Sequence, residues 1–452
     1  MTSGDAGAAH GKMPSQRPPT INWSLAGFLL LFVASRLLYV VLIDPGHMVY
    51  YGAQELYRGP IAQDLVTGLK MPFTESLADN YSGGSLVIKA LTAQFFLLFG
   101  PSLFALILAP LLVFTLALVF WYWTIERVAG ERVAGSFALL FCFSPPLFTD
   151  YSVTAMGFHS ESIVFSALTV FLLFRMLSGV TGTRMLPALL GLTAGFGLWF
   201  TYIYGLTLLT LLGFWVWHDK GRLGWPRVLG FAMGFLVGLS PWILINAQTH
   251  IAGFVIHMKG IGEHFGLAYL WDGLAHPQKL ALYEFFADIA SDDPRDLPRR
   301  AVNLLYSLLF LGPILTAGVL RLKMWCSHPA GASYCRMGPR VSTHKAGTRP
   351  SRTHPTQPTL VGFCILYLVV CALAVQVSDF RATRYHVPAY PFLFFLTAYS
   401  LARCQDEFPN FQKKIQIIFL ASVVVLGVGT HASLLSMDRL GYALSAHDDA
   451  IR

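Results

Sequence analysis

The fold class predicted by this sequence is an all-α polytopic membrane protein, and three observations carry that prediction. Of the 452 residues, 55% are hydrophobic and only 12% are charged, whereas a soluble globular domain is about a quarter charged. Apolar runs recur along the chain, most of them long enough to cross a hydrocarbon core of roughly 30 Å. Basic residues gather in alternate loops, the pattern that separates cytoplasmic from external segments. The formal net charge of +8 therefore reads as topology, and no nucleic-acid partner is expected.

Taken in order, residues 1–22, with Lys12, Arg17 and several Pro and Gly, read as a disordered cytoplasmic N-terminus. The run from Trp23 to Ile43 is too long for a signal-peptide core and lacks a small-residue cleavage site, so an uncleaved first span is expected. Further spans are expected near 101–124, 134–149, 158–175, 184–199, 201–217, 227–246, 302–320, 359–377, 387–403 and 415–434. That makes about eleven spans. The pair flanking "GLWFTYIYGL" is too closely spaced for an ordinary loop and reads as two short helices meeting near one face.

With the N-terminus in the cytoplasm, Arg127, Arg132, Arg175, Arg184, Lys220 and Arg222 lie inside, as does the basic linker 321–358. The inverted topology would put that linker outside, against the positive-inside rule. The expected layout is one transmembrane domain over 23–434, with outer loops 44–100 and 247–301 and an outer C-terminal tail 435–452. The expected location is the plasma (inner) membrane, crossed many times.

None of the six cysteines falls in an outer loop, so disulfides are not expected on the oxidising side. The "CSHPAGASYC" stretch, with His328 and His344, fits no standard zinc spacing. The outer loops, in contrast, mix acids, aromatics and amphipathic pattern. Val49, Ala53, Leu56 and Tyr57 recur at helical spacing, with Gln54, Glu55 and Arg58 on the other side, which suits a helix lying in the interface. In "SGGSLVIKALTAQFFLLFG", Ser85, Lys89 and Thr92 form a polar stripe at i, i+4 and i+7, on either a juxtamembrane helix or a further span.

Three clusters could carry chemistry, all at the outer face. Asp44 ends the first helix, because the residue before a proline is pushed out of α conformation. Two readings stand for it, a boundary acid or a carboxylate facing water and a membrane-embedded substrate. Arg36 lies roughly 12 Å inward at the helical rise, where it either snorkels to the surface or binds a lipid phosphate. The second cluster, "TDYSVTAMGFHSES", holds Asp150, His159 and Glu161, which read either as a polar helix start or as groups that position an acceptor or a cation. The third, "SDFRATRYHVPAYPF", places Arg381, Arg384 and Tyr385 where positive charge is not favoured. Arginine suits a phosphate through its planar fork, and interfacial anchoring is the other reading.

All three clusters lie on one face, and the helix interiors are nearly free of charge. A secondary transporter would collect ionisable groups or broken helices near the midplane, often in repeated halves. An enzyme acting on a lipid-linked substrate would collect acids and arginines at one surface, and this is the pattern seen. The alternative is a non-catalytic or transporting membrane protein that handles lipid-linked glycans.

At these residues the chain resembles the GT-C glycosyltransferases. It is similar to the polyprenyl-phosphate-sugar enzymes that include protein O-mannosyltransferases, aminoarabinose transferases and rhizobial lipopolysaccharide glycosyltransferases. Asp44 with "YYGAQELYRG" resembles their first outer loop, which usually carries an Asp-Glu pair before an amphipathic helix. "SGGSLVIKALTAQFFLLFGPSLFALIL" resembles their juxtamembrane helix, "FSPPLFTDYSVTAMGFHSES" their Ser-Pro and Ala-Met-Gly segment, and "RYHVPAYPF" their Arg-Tyr-x-x-Pro-x-Tyr-Pro. The motifs occur in the family's order over most of 23–404. The chain departs from the family where the Asp-Glu pair would fall near Pro45 and Gly46. It departs again where Lys-Pro-Pro-Leu is replaced by "SGGSL", with Lys89 the nearby lysine. Either the site is rearranged in a divergent branch or catalysis has been lost.

The resemblance implies a GT-C-like helical bundle, a polyprenyl-phosphate-linked sugar as donor, and a glycan, lipid or protein as acceptor. It implies Asp44 as the base that takes the acceptor's proton, and Arg36, Lys89, Arg381 and Arg384 as donor-phosphate ligands. Asp150, His159, Glu161 and Tyr385 would position the acceptor or a divalent cation.

Overall fold

The computed structural model of this chain describes residues 23–42, 58–68, 83–157, 159–178, 185–219, 224–248, 266–275, 297–326, 357–377 and 385–451. The described residues form helices joined by turns, with no strand among them. In chain order the helices are α1 Trp23–Leu42, α2 Arg58–Thr67, α3 Gly84–Phe99, α4 Leu103–Ala129 and α5 Glu131–Cys142. Then come α6 Pro146–Tyr151, α7 Ile163–Leu177, α8 Leu186–Phe200, α9 Gly205–His218 and α10 Trp225–Gln248. The last are α11 Leu267–Ala275, α12 Leu297–Cys326, α13 Gln357–Gln376, α14 Tyr390–Glu407 and α15 Gln412–Ile451.

Among the described residues, seven helices are long and apolar enough to cross a membrane, namely α1, α4, α7 (counted from Ser160), α10, α12, α13 and α15. The stretches Gly84–Phe99, Leu186–Phe200 and Tyr202–His218 are shorter apolar helices. The outward sides of α10 and α15 expose Met233, Leu236, Val237, Ile417, Ile418 and Val425, a surface suited to hydrocarbon and not to water. The protein is an all-α polytopic membrane protein, as expected.

Two local outcomes differ from or refine the expectation. The third expected span, 134–149, is divided. The first part stops at Cys142, Phe143 leaves helical geometry (φ −107°, ψ 66°), and Pro145 precedes a new helix with Pro146 in its first turn. Proline disfavours α conformation in the residue before it and is tolerated where a helix begins, so the "SPP" run breaks this span. The two short helices around "GLWFTYIYGL" are present, with Thr201 extended between α8 and the short 3₁₀ turn Tyr202–Tyr204 that leads into α9. At the C-terminus, α15 continues as one helix to Ile451, through most of the expected tail.

Aromatic rings fill the core. Phe148 of α6 makes edge contacts with Phe114, Phe141 and Phe394, at centroid distances of 5.2, 5.0 and 5.4 Å. One short helix thereby joins α4, α5 and α14 through tilted ring pairs.

The closest helix pairing is α8 against α10, and glycines make it possible. A Cβ on Gly191 or Gly195 would collide with the Phe231 or Phe235 carbonyl, and one on Gly234 or Gly238 with the Ala188 or Leu192 carbonyl. Lipid offers no hydrophobic drive between helices, so close backbone approach and van der Waals contact hold them together, and small residues every fourth position permit it. Gly234→Val is expected to destabilise the protein by at least about 2 kcal/mol, read as a lower melting temperature in detergent. Gly213→Val, where an added Cβ meets nothing, serves as the matched control.

Candidate functional site

The site begins where α3 starts. The Gly83 N–H donates to the Trp199 carbonyl at 2.7 Å. A Cβ on Gly83 would collide with the Trp199 indole, and one on Gly84 with the Gly157 and Phe200 carbonyls. The two glycines of "SGGSL" therefore let three segments meet backbone to backbone: the start of α3, the turn at 157 and the end of α8. From that anchor, the stripe of Ser85, Lys89 and Thr92 points into the protein, and all three are buried, Lys89 completely. A polar stripe on an apolar helix could have faced water or headgroups, and here it faces inward.

The second component is the irregular stretch between α6 and α7. Gly157 has a left-handed backbone (φ 75°), which favours glycine. Its N–H donates to Glu161 Oε1 at 2.7 Å, and the Ser160 hydroxyl donates to Glu161 Oε2 at 2.8 Å. Glu161 is completely buried, and each of its oxygens accepts a bond from this same turn. It thereby ties Gly157 to Ser160. His159 packs edge-on against Tyr385 at 4.6 Å, so the second and third sequence clusters do meet. Asp150 is buried, and the Tyr39 hydroxyl donates to its carboxylate over a long 3.5 Å.

Next to Tyr385, burial pushes the His386 imidazole down to about 4, because desolvation disfavours the charged form. An unfolded histidine takes up a proton near 6.5, so the unfolded state binds more protons between those values. The contribution runs one way: stability is lost as pH falls below 6.5, and the loss is complete near 4. His386→Gln is expected to flatten the fall in melting temperature between pH 7 and pH 4. An unchanged acid profile would show that His386 protonates without penalty.

Arg36 neither snorkels outward nor faces an open site in this structure. Its side chain is completely buried and turned toward the end of α5. Nε donates to Ser152 Oγ at 2.8 Å, Nη1 to the Cys142 carbonyl at 2.9 Å and to Ser35 Oγ at 3.3 Å. Nη2 donates to Ser144 Oγ at 2.6 Å and to the Phe141 carbonyl at 3.4 Å. The guanidinium also lies 4.8 Å from the centre of the Phe32 ring. A cation is favoured at a helix C-terminus, where carbonyls lack intrahelical partners, and the break at Ser144 creates such a terminus inside the bundle. Around it, Tyr306 donates to the Phe143 carbonyl at 2.8 Å, and Thr430 and Thr149 donate to the Ser144 carbonyl at 3.2 and 3.1 Å. This knot joins α1, α5, α6, α12 and α15. Sequence reasoning missed Tyr39, Ser144, Ser152, Tyr306 and Thr430, and the one available signal was the set of small hydroxyl residues flanking the Pro-Pro break.

Three of the expected site residues, Asp44, Arg381 and Arg384, lie outside the described residues, as does the amphipathic stretch 49–57. Among the described residues, no three of His, Cys, Asp and Glu come together as a metal site.

No protein-family model matches the sequence, and a search of curated proteins finds no match. Solved structures do match. ArnT from Cupriavidus metallidurans in the apo state superposes with a TM-score of 0.51 at 14% identity, covering 91% of this chain and 76% of that one. The same protein bound to undecaprenyl phosphate gives 0.50 at 14% identity, covering 94% and 79%. The Archaeoglobus fulgidus oligosaccharyltransferase tethered to an acceptor peptide gives 0.50 at 14% identity, covering 92% of this chain and 55% of that one. At these identities the likeness shows the fold: the chain shares the helical bundle of these membrane proteins.

Proposed function

We propose that this protein is an integral-membrane glycosyltransferase that moves a sugar from a polyprenyl-phosphate-linked donor to a lipid, glycan or protein acceptor. The observation that carries this reading is Lys89, a completely buried cation on α3, the helix whose first residue, Gly84, packs against the Gly157 carbonyl, in a GT-C-type bundle. The ArnT structure bound to undecaprenyl phosphate shares that bundle, which supports a lipid-phosphate donor here. Little water screens a buried ammonium, so its attraction for a phosphate is strong.

In this reading Asp44 takes the proton of the acceptor hydroxyl as its oxygen attacks the sugar C1. The bond from C1 to the phosphate oxygen breaks, and the polyprenyl phosphate leaves with the electron pair. Lys89, Arg381 and Arg384 stabilise the charge that develops on it. Asp150, His159 and Tyr385 position the acceptor or a divalent cation, and Glu161 holds the turn that presents them. Arg36 acts through the fold, by fixing the outer end of α1, which leads to Asp44. The proposed orientation has a cytoplasmic N-terminus in the inner membrane and a site facing the periplasm or exterior.

The test is turnover. Purified protein is incubated with a panel of undecaprenyl-phosphate sugars and cell-envelope acceptors, and release of free undecaprenyl phosphate is followed. At least one donor should be consumed, and Lys89→Met should slow its consumption by about 10²-fold, the scale seen when one charge-stabilising donor is removed. If no donor in the panel is consumed, the non-catalytic or transporting alternative is favoured. An unaffected Lys89→Met variant would remove Lys89 from the site.

A further inference from the structure

At the end of the bundle opposite Lys89, α1, α4, α5 and α15 leave a cleft of about 690 Å³ that opens on one side. Its walls are apolar, with Leu31 and Leu139 among the residues lining them. Its mouth carries both signs of charge on adjacent residues, Glu131 and Arg132, in the first turn of α5. Glu131 accepts a bond from the Ser24 hydroxyl at 3.0 Å. Arg132 pairs with Asp406 at 3.3 Å while staying half exposed. Nothing lies near a Cβ built on Gly27, and one on Gly135 meets only the Phe28 ring at 3.7 Å, so the two glycines keep the floor open. From Ser24 to Leu31 the cleft runs roughly 10 Å along α1 at the helical rise.

We propose that this cleft binds one phospholipid with a zwitterionic, amine-bearing headgroup of the phosphatidylethanolamine kind. An occupant between membrane-spanning helices must match the apolar walls, which the first part of an acyl chain does. At the mouth, the headgroup ammonium meets Glu131 and its phosphate meets Arg132, so both charges of the ligand find their complement. An anionic headgroup such as phosphatidylglycerol carries the same phosphate but offers no cation to Glu131. A quaternary amine could not donate a hydrogen bond to the Glu131 carboxylate.

The experiment is native mass spectrometry of the full, delipidated protein in detergent, titrated with phosphatidylethanolamine, phosphatidylglycerol and phosphatidylcholine of identical chains. One phosphatidylethanolamine should be retained with about a ten-fold preference, equivalent to about 1.4 kcal/mol. Gly27→Leu should remove that lipid, and Glu131→Gln should erase the headgroup preference. Leu31→Trp, which narrows the cleft one turn further along α1, stands in if Gly27→Leu does not fold. The proposal is overturned by equal retention of all three headgroups. It is equally overturned by full retention in a folded Gly27→Leu protein, or by one-for-one displacement by undecaprenyl phosphate. Because the cleft and Lys89 are at opposite ends, Lys89→Met should leave this lipid in place.

Discussion

Asp44→Asn is expected to reduce sugar transfer by about 10³-fold or more while the protein still folds and still retains polyprenyl phosphate. General-base catalysis contributes on the order of 10²–10⁴, and the amide cannot accept the acceptor's proton. The departing phosphate is held by other groups in the proposed site, so lipid binding should survive the change. The measurement is the single-turnover rate with an identified donor, alongside melting temperature and lipid retention. Retained turnover would remove Asp44 from the chemical step and leave Asp150, which accepts from Tyr39 of α1, as the next candidate base. Lost turnover with lost folding would assign Asp44 to the fold and not to the chemical step.

Arg36→Met is expected to cost about 3–5 kcal/mol of stability, the scale for breaking a buried, hydrogen-bonded charge arrangement. Two backbone carbonyls and three serine hydroxyls accept from this one side chain. Buried acceptors left without donors carry a penalty of about 1–3 kcal/mol each. Arg36→Lys should rescue little, since an ammonium has three donors at a point where five are needed in a fork. Thermal unfolding in detergent reads the loss, and undecaprenyl phosphate affinity of the folded fraction should not change. A stable Arg36→Met protein that has lost that affinity would restore the phosphate-ligand role suggested by sequence.

The sequence makes the helix order legible, because apolar runs and charged flanks are local signals. The motif order pointed to the fold for the same reason. What it could not reveal depends on residues far apart in the chain. The partners of Arg36 lie 105 to 116 residues away, apart from Ser35, so depth in a helix suggested snorkelling or a ligand, never a clamp on a broken helix. The stripe of Ser85, Lys89 and Thr92 was visible as a pattern, but its inward direction is set by Gly83 and Gly84 against Trp199, Gly157 and Phe200. Glu161 was singled out as an acid, and only the left-handed turn at Gly157 shows that it braces its own loop. The fourth-position glycines of α8 and α10 are a local signal, but the pairing they permit joins residues about 40 apart in the chain.

The most direct measurement of the central claim is native mass spectrometry of the purified protein titrated with undecaprenyl phosphate against bulk phosphatidylglycerol. The proposal predicts selective retention of undecaprenyl phosphate that is lost when Lys89 and Arg384 are replaced together by neutral residues. Retention no greater than that of the bulk lipid would contradict it.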